Sequence, residues 1–337
     1  MSDASRLLEL VEKFATTRVA LVGDLVLDRY VLGTPKRISR EAPVIILRHE
    51  EQRDFPGGGA NALANLLALG VPTSVVAAVG DDEPGEALRI LLETRGADTS
   101  RLVTVPGYRT PTKVRILGGG PSSLKHQVAR YDIEDHLPAD GSWRVLLLEN
   151  LGDAIVNAGA LAISDYGYGC VRPGDLVGLP GVQSSGPWLC LDSRYRSGRF
   201  PGVDGTTPNL EELEAHAGRS LPTDEEVATA AEDLRRELSA RFVLATRGNR
   251  GMTLVEEGEE PRHIPVFGSD EVADVTGAGD TVLAVLTASL AAGGTPLQAA
   301  RLANVAAGLV VMKLGTATVS ADELRQAVAA GGADDPT

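Results

Sequence analysis

Residues 56–80 read PGGGANALANLLALGVPTSVVAAVG. Gly57, Gly58 and Gly59 open a segment whose apolar residues return at helical spacing. TSVVAAVG, 73–80, follows as a continuous apolar run of strand length. The same alternation extends outward in both directions. RVALVGDLVL, 18–27, reads as a buried central strand ending in Gly-Asp, and EPGEALRILLETRG, 83–96, as another helix. LAISDY (161–166), WLCLDS (188–193) and FVLATRG (242–248) are further strands. Helices lie between them, including an acidic stretch at 223–239. GMTLVEE and HIPVF suit a hairpin, and residues 281–294 and 296–315 form two long Ala-rich helices. The first residues, MSDASRLLELVEKFATTR, form an amphipathic helix with Ser2 or Asp3 near its cap. Strands alternating with helices imply an α/β fold built on a parallel sheet.

Two stretches break this rhythm. Residues 30–55 mix β-branched and charged side chains around VIILR, and 101–133 contain TKVRILGGG and HQVARYD, a hairpin pattern with a Gly-Pro turn. Half-exposed strands fit both, and pairing the two stretches gives one small accessory sheet. The folded domain is expected over 1–325, with the tail 326–337 disordered.

Composition narrows the function. A net charge of −14 over 337 residues argues against a nucleic-acid partner, because phosphate backbones call for clustered Lys and Arg. With 43% hydrophobic residues the chain can bury a large core without disulfides, and its two cysteines, Cys170 and Cys190, suit a reducing compartment. No apolar run approaches the ~20 residues that span a bilayer. The expectation is a cytoplasmic protein acting on a small molecule.

Three segments carry chemistry. In DVTGAGDT, 274–281, a Gly-rich turn leads into an apolar helix, so backbone N–H groups of Gly277, Ala278 and Gly279 can converge on an anion. Asp280 would repel a phosphate as a ligand. As a base, it would take the proton from a hydroxyl that attacks phosphorus. The plainer alternative is a Gly turn with a capping Asp; two acids bracketing TGAG at a helix start favour the base. In Gly57-Gly58-Gly59-Ala60-Asn61 the glycines allow close approach of a ligand, and Asn61 offers a donor and an acceptor to sugar hydroxyls. Asp24 and Asp28 follow the first strand, whose carboxyl end faces the ligand crevice of an open α/β sheet. The plainer alternative is a capping Asp followed by a surface salt bridge. There is no GxxxxGK[ST] loop, and the first βα turn lacks GxGxxG, which argues against a P-loop and a dinucleotide site.

DVTGAGDT, GGGAN, the early Gly-Asp, TPNLEE at 207–212 and TRGNRG at 246–251 occur in the order seen in the ribokinase/PfkB carbohydrate kinases, which the chain resembles over roughly 18–325. Within that family it is most similar to the D-glycero-D-manno-heptose 7-phosphate kinases. RISREAPV (37–44), TKVRI, ARYD, ISDYGYG and ANVAAGLVVMKLGTATVS carry that likeness. The resemblance implies a ribokinase-like, Rossmann-type sheet flanked by helices, with 30–55 and 101–133 as a β-sheet lid. It implies ATP and Mg²⁺, and phosphate transfer to the anomeric hydroxyl of heptose 7-phosphate. Asp280 would be the base beside the Gly277–Gly279 anion hole, and Asp28, Gly57, Gly58 and Asn61, with help from Asp24, would contact the sugar. Asn209 and Glu212 would organise Mg²⁺ and phosphates through water. Thr246, Gly248 and Thr276 would line the nucleotide site, with Asn304 near the adenine, and Asp274 would help hold a monovalent cation. Lids of this family often pair across homodimers. The chain departs from the family at Tyr168, where Lys is frequent, and at Ser193-Arg194, where Pro-Lys often follows the aspartate. It also carries no HxGH motif of the nucleotidyltransferase sometimes joined to heptose kinases.

Arg37, Arg40, Lys113, Arg115 and Arg130 all fall in the two lid stretches of an otherwise acidic chain. Together they suggest a pocket for a phosphate already on the acceptor, with Arg37 and Lys113 foremost. The alternatives are a kinase for a fructose- or ribose-type acceptor, or an idle sugar-binding regulator on the same fold.

Overall fold

The computed structural model describes residues 3–120, 125–176, 186–268, 275–313 and 315–331. Helix α1 (Asp3–Lys13) buries Leu7, Leu10 and Val11 and leads into β1 (Val19–Gly23), which is buried throughout. One residue, Asp24, separates β1 from β2 (Leu25–Ile38), which leaves the main sheet and returns as β3 (Ile45–Gly58). Helix α2 (Gly59–Ala68), β4 (Thr73–Gly80), α3 (Glu83–Thr94) and β5 (Leu102–Val105) continue the alternation. The chain then visits the second sheet again as β6 (Thr112–Gly118) and β7 (His126–Ile133). After α4 (Ser142–Ile155) come β8 (Ala160–Asp165), β9 (Trp188–Ser193), β10 (Gly205–Thr206), α5 (Leu210–Ala217), α6 (Asp224–Leu238) and β11 (Phe242–Thr246). The hairpin β12 (Met252–Glu256) and β13 (Arg262–Ile264) precede α7 (Ala278–Ala291), α8 (Pro296–Val311) and α9 (Ala321–Ala329).

Among the described residues the main sheet runs β13-β12-β11-β10-β9-β8-β1-β4-β5. From β11 to β5 it is parallel, and its strands are almost wholly buried, as strands covered on both faces must be. Helix α4 packs on β1, β4 and β5, α6 on β11 and β12, and α7 on β8 and β9. The chain adds strands on one side of β1 as far as β5, then restarts on the other side at β8. The switch point therefore lies between the carboxyl ends of β1 and β8, where open α/β sheets bind ligands.

The second sheet, β3-β2-β6-β7, stands over that point. Its register sets Asp28 beside both Phe55 and Lys113, and Arg115 beside Arg130. Most of β7 and the outer half of β2 are exposed, as expected for a lid.

Three expectations change. The apolar run 18–27 is two strands, because the chain turns at Asp24; Leu25–Leu27 are as buried as β1, so hydrophobicity carries no mark of the turn. Residues 102–105 of the second lid stretch belong to the main sheet beside β4, and the lid resumes only at Thr112. Helix α9 runs on to Ala329, so 326–329 are helical; its Ser320–Glu323 capping box starts it and Leu324 and Val328 anchor it. Ser2, the Gly-Pro turn after Gly120 and residues 332–337 lie outside the described residues.

Candidate active site

Gly277 caps α7 with φ 81°, and a Cβ there would land on the Asn61 side-chain nitrogen, so two independent constraints require glycine. The first i→i−4 bond of the helix runs from Thr281 N to Gly277 O. The N–H groups of Gly279 and Asp280 thus have no acceptor within the helix and can face an anion. Asp280 is 4% exposed. Asn61 Nδ2 donates to its Oδ2 at 2.9 Å, and the Tyr166 hydroxyl donates to its Oδ1 at 3.1 Å. Burial pushes the Asp280 carboxyl up to about 6, against the pull of Asn61, Tyr166 and the Lys113 charge. A carboxylate so held is mostly ionised at neutral pH and more basic than an exposed one.

Two cavities meet at this helix start. One, of about 310 Å³, is polar; Asp28, Lys113 and Arg115 line its lid side, and Asn209, Glu212 and Asp280 its floor. The other, of about 180 Å³, is walled by Met252, Val266, Phe267, Val282 and Val311. Thr246, Val275 and Gly279 belong to both. A polar chamber joined to an apolar one, with a helix end open to an anion between, suits a nucleotide whose phosphates reach a hydroxylated acceptor.

The structure gathers Asp28, Gly58, Lys113, Arg115 and Arg130 around the polar cavity, along with Thr276. Asp28 Oδ1 is ion-paired with Arg115 at 2.5 Å, and a Cβ on Gly57 would strike the Asp28 carboxylate. Lys113 Nζ sits 4.8 Å over the Tyr166 ring, and burial lowers its pKa. Asn209 and Glu212 form a reciprocal capping box on α5. Gly248 and Asn304 line the apolar cavity, and Asn304 Nδ2 donates to the Pro265 carbonyl.

Other expected residues fall elsewhere. The Asp24 carboxylate accepts bonds from the backbone N–H groups of Tyr166, Tyr168 and Cys170 at 2.9–3.0 Å and does not line the cavity. It ties the turn after β1 to the loop after β8. Burial leaves its carboxyl raised to about 6 despite those bonds. Arg37 and Arg40 are exposed. Arg37 lies nine residues beyond Asp28 on extended β2, up to about 30 Å along the strand, too far to share the cleft of its own chain. Asp274 lies outside the described residues.

The sequence assigned no site role to Asp165, Tyr166, Asp192 or Arg194, all of which line the polar cavity. Each stands at or just past the carboxyl end of β8 or β9. The strand-end rule applied to Asp24 would have found them. Burial, with Glu212 and Asp280 nearby, raises the Asp192 carboxyl well above its usual range. Tyr168, the departure noted above, donates its hydroxyl to Glu134 at 2.8 Å.

The sequence profile of the pfkB family carbohydrate kinases matches residues 16–140 and 182–323. The bifunctional protein HldE of Nitrosococcus oceani is 41% identical over 317 residues, covering 94% of this chain and 64% of that protein. The bifunctional protein HldE of Haemophilus influenzae is 39% identical over 316 residues, with the same coverage. The chain thus spans 64% of the length of these relatives. Among solved structures, phosphofructokinase-2 from Escherichia coli in complex with fructose-6-phosphate superposes with a TM-score of 0.72 at 21% identity, over 93% of this chain and 98% of that one. Arabidopsis thaliana ribokinase complexed with ribose and ATP gives 0.71 at 20% identity, again over 93% and 98%. These two establish the likeness of fold.

Proposed function

Because the chain belongs to the pfkB family of carbohydrate kinases, we propose that it moves the γ-phosphoryl group of ATP to the anomeric hydroxyl of D-glycero-D-manno-heptose 7-phosphate. The observation that carries the reading is a buried carboxylate, Asp280, at the helix start where the polar and apolar cavities meet. Asp280 takes the hydroxyl proton, and the N–H groups beside it stabilise the phosphoryl oxygens. Adenine fits the apolar cavity beside Gly248 and Asn304. The sugar lies against Asp28 and Gly58, under the lid, while Asn61, buried and outside the cavity lining, holds the Asp280 carboxylate.

Asp192 and Glu212 fit a hard divalent cation: both are oxygen donors at the cleft, neither forms an ion pair among the described residues, and burial raises both carboxyls. Held there with ATP, Mg²⁺ would neutralise phosphate charge. A monovalent cation near Asp274 completes the expected set. The heptose acceptor rests on the likeness of RISREAPV and its companion segments, and its phosphate on Lys113, which lines the cleft without an ion pair. An idle regulator would have no use for a tuned base. An ATP-dependent reaction belongs in the cytoplasm, and no helix among the described residues is long and apolar enough to cross a membrane.

The lid also presents an apolar groove lined by Val31, Leu32, Val44, Ile45, Leu47 and Val128, with Ile38 and Tyr131 exposed nearby. A second copy of the chain would cover it. Ile45→Asp should then lower the sedimentation coefficient; an unchanged value rejects the lid dimer. Formation of ADP with a panel of sugars tests the kinase reading.

A further inference from the structure

Asp165, at the end of β8, is buried and holds the turn that follows β9. Its Oδ2 accepts from Ser193 Oγ at 2.6 Å and from Arg196 Nε at 3.1 Å, and Arg196 forms an ion pair with the same carboxylate. The Arg194 N–H donates to the Asp165 carbonyl at 2.9 Å. Between these anchors Tyr195 adopts φ 59°, a left-handed conformation that strains a non-glycine residue. The turn is therefore fixed at both ends and strained in the middle, and what it delivers to the cleft is the side chain of Arg194.

Two of the other cations that line the cleft are ion-paired, and the third, Lys113, lies at the acceptor end. Arg115 is paired with Asp28, Arg130 with Asp132, and Lys113 stands over the Tyr166 ring. The Arg194 guanidinium has no hydrogen-bond or ion-pair partner among the described residues. Arg194 lines the same cavity as Glu212 at the nucleotide end and Lys113 and Tyr166 at the acceptor end. A cation left unpaired in that lining matches an anion that arrives with substrate. The transferring phosphoryl group is such an anion.

We propose that Arg194 is a catalytic residue that grips the equatorial oxygens of the γ-phosphoryl group during transfer, opposite the N–H groups of Gly279 and Asp280. In that step the acceptor oxygen bonds to phosphorus while the bond from phosphorus to the β–γ bridging oxygen breaks. The electron pair leaves on ADP, and Asp280 takes the hydroxyl proton. Negative charge on the equatorial oxygens is what a planar, two-pronged donor stabilises. Arginine here, where the resemblance leads one to expect lysine, supplies that fork.

The assignment rests on the kinase reading above. The test is steady-state kinetics of Arg194→Ala and Arg194→Lys, with heptose 7-phosphate and with unphosphorylated heptose, in the presence and absence of guanidinium ion. Loss of such a donor lowers kcat roughly 10²–10³-fold. The alanine variant should lose that much with either acceptor at little change in either KM, and added guanidinium should restore part of it. Lysine should fall between alanine and wild type. An undiminished kcat in Arg194→Ala overturns the assignment, as does a loss confined to a higher KM for the phosphorylated acceptor, which would make Arg194 an acceptor-phosphate ligand. Wild-type protein that forms ADP no faster with any sugar than without one overturns the kinase reading instead.

Discussion

Asn61 Nδ2 lies 2.9 Å from Asp280 Oδ2, although 219 residues separate them. The bond joins the first turns of α2 and α7, which pack together. Asn65, one turn on, donates to the Asn61 carbonyl at 3.0 Å. GGGAN and TGAGD are thus halves of one device: glycines let two helix starts approach, and the asparagine of one orients the carboxylate of the other.

Asp280→Asn keeps the shape and removes the base. Turnover should fall ~10²–10⁴-fold while a non-hydrolysed ATP analogue binds as before by calorimetry. Near-normal turnover would mean that the proton leaves by another route.

The buried carboxyl also sets a pH dependence. Asp280 acts when ionised, so kcat should rise with pH through a limb near 6, the value to which burial pushes it. Asn61 stabilises the ionised form, so Asn61→Leu should move that limb to higher pH. A limb that stays in place, or moves down, would show that another group controls it.

The βα alternation and the motifs beside its glycines were legible in the sequence because they depend on local pattern. TSVVAAVG and WLCLDS are strands by period and length, and the structure returns them as β4 and β9 with the same ends. Asp24 was not legible. An aspartate after a strand looks the same whether it meets a sugar or three backbone N–H groups, and those come from residues 166–170, far along the chain. Arg37 misled for the opposite reason. It belongs to a motif by sequence, while the length of β2 carries it away from the cleft.

Asp24→Ala strands those three N–H groups in the interior. At ~1–3 kcal/mol for each unmet buried donor, partly relieved by water, stability should drop by about 2–4 kcal/mol. Urea unfolding measures it. A loss below ~0.5 kcal/mol, typical of surface changes, would show that the carboxylate is not the tie it appears from its three bonds.

The lid cations should separate by position. Lys113→Met should raise KM for heptose 7-phosphate by about 10-fold or more, the value of one charge-assisted contact, with less effect on the neutral sugar. Arg37→Ala should change neither. Equal losses for the two sugars in Lys113→Met would remove Lys113 from any phosphate contact.

The most direct test of the central claim is ADP formation by the wild-type chain with ATP and Mg²⁺, sugar by sugar. The panel is heptose 7-phosphate, unphosphorylated heptose, fructose 6-phosphate and ribose, against a blank without sugar. The account predicts the highest kcat/KM with heptose 7-phosphate, and a product that no longer reacts as a reducing sugar because its anomeric oxygen carries the new phosphate. ADP no faster than the blank with every sugar, or a preference for fructose 6-phosphate or ribose, would contradict it.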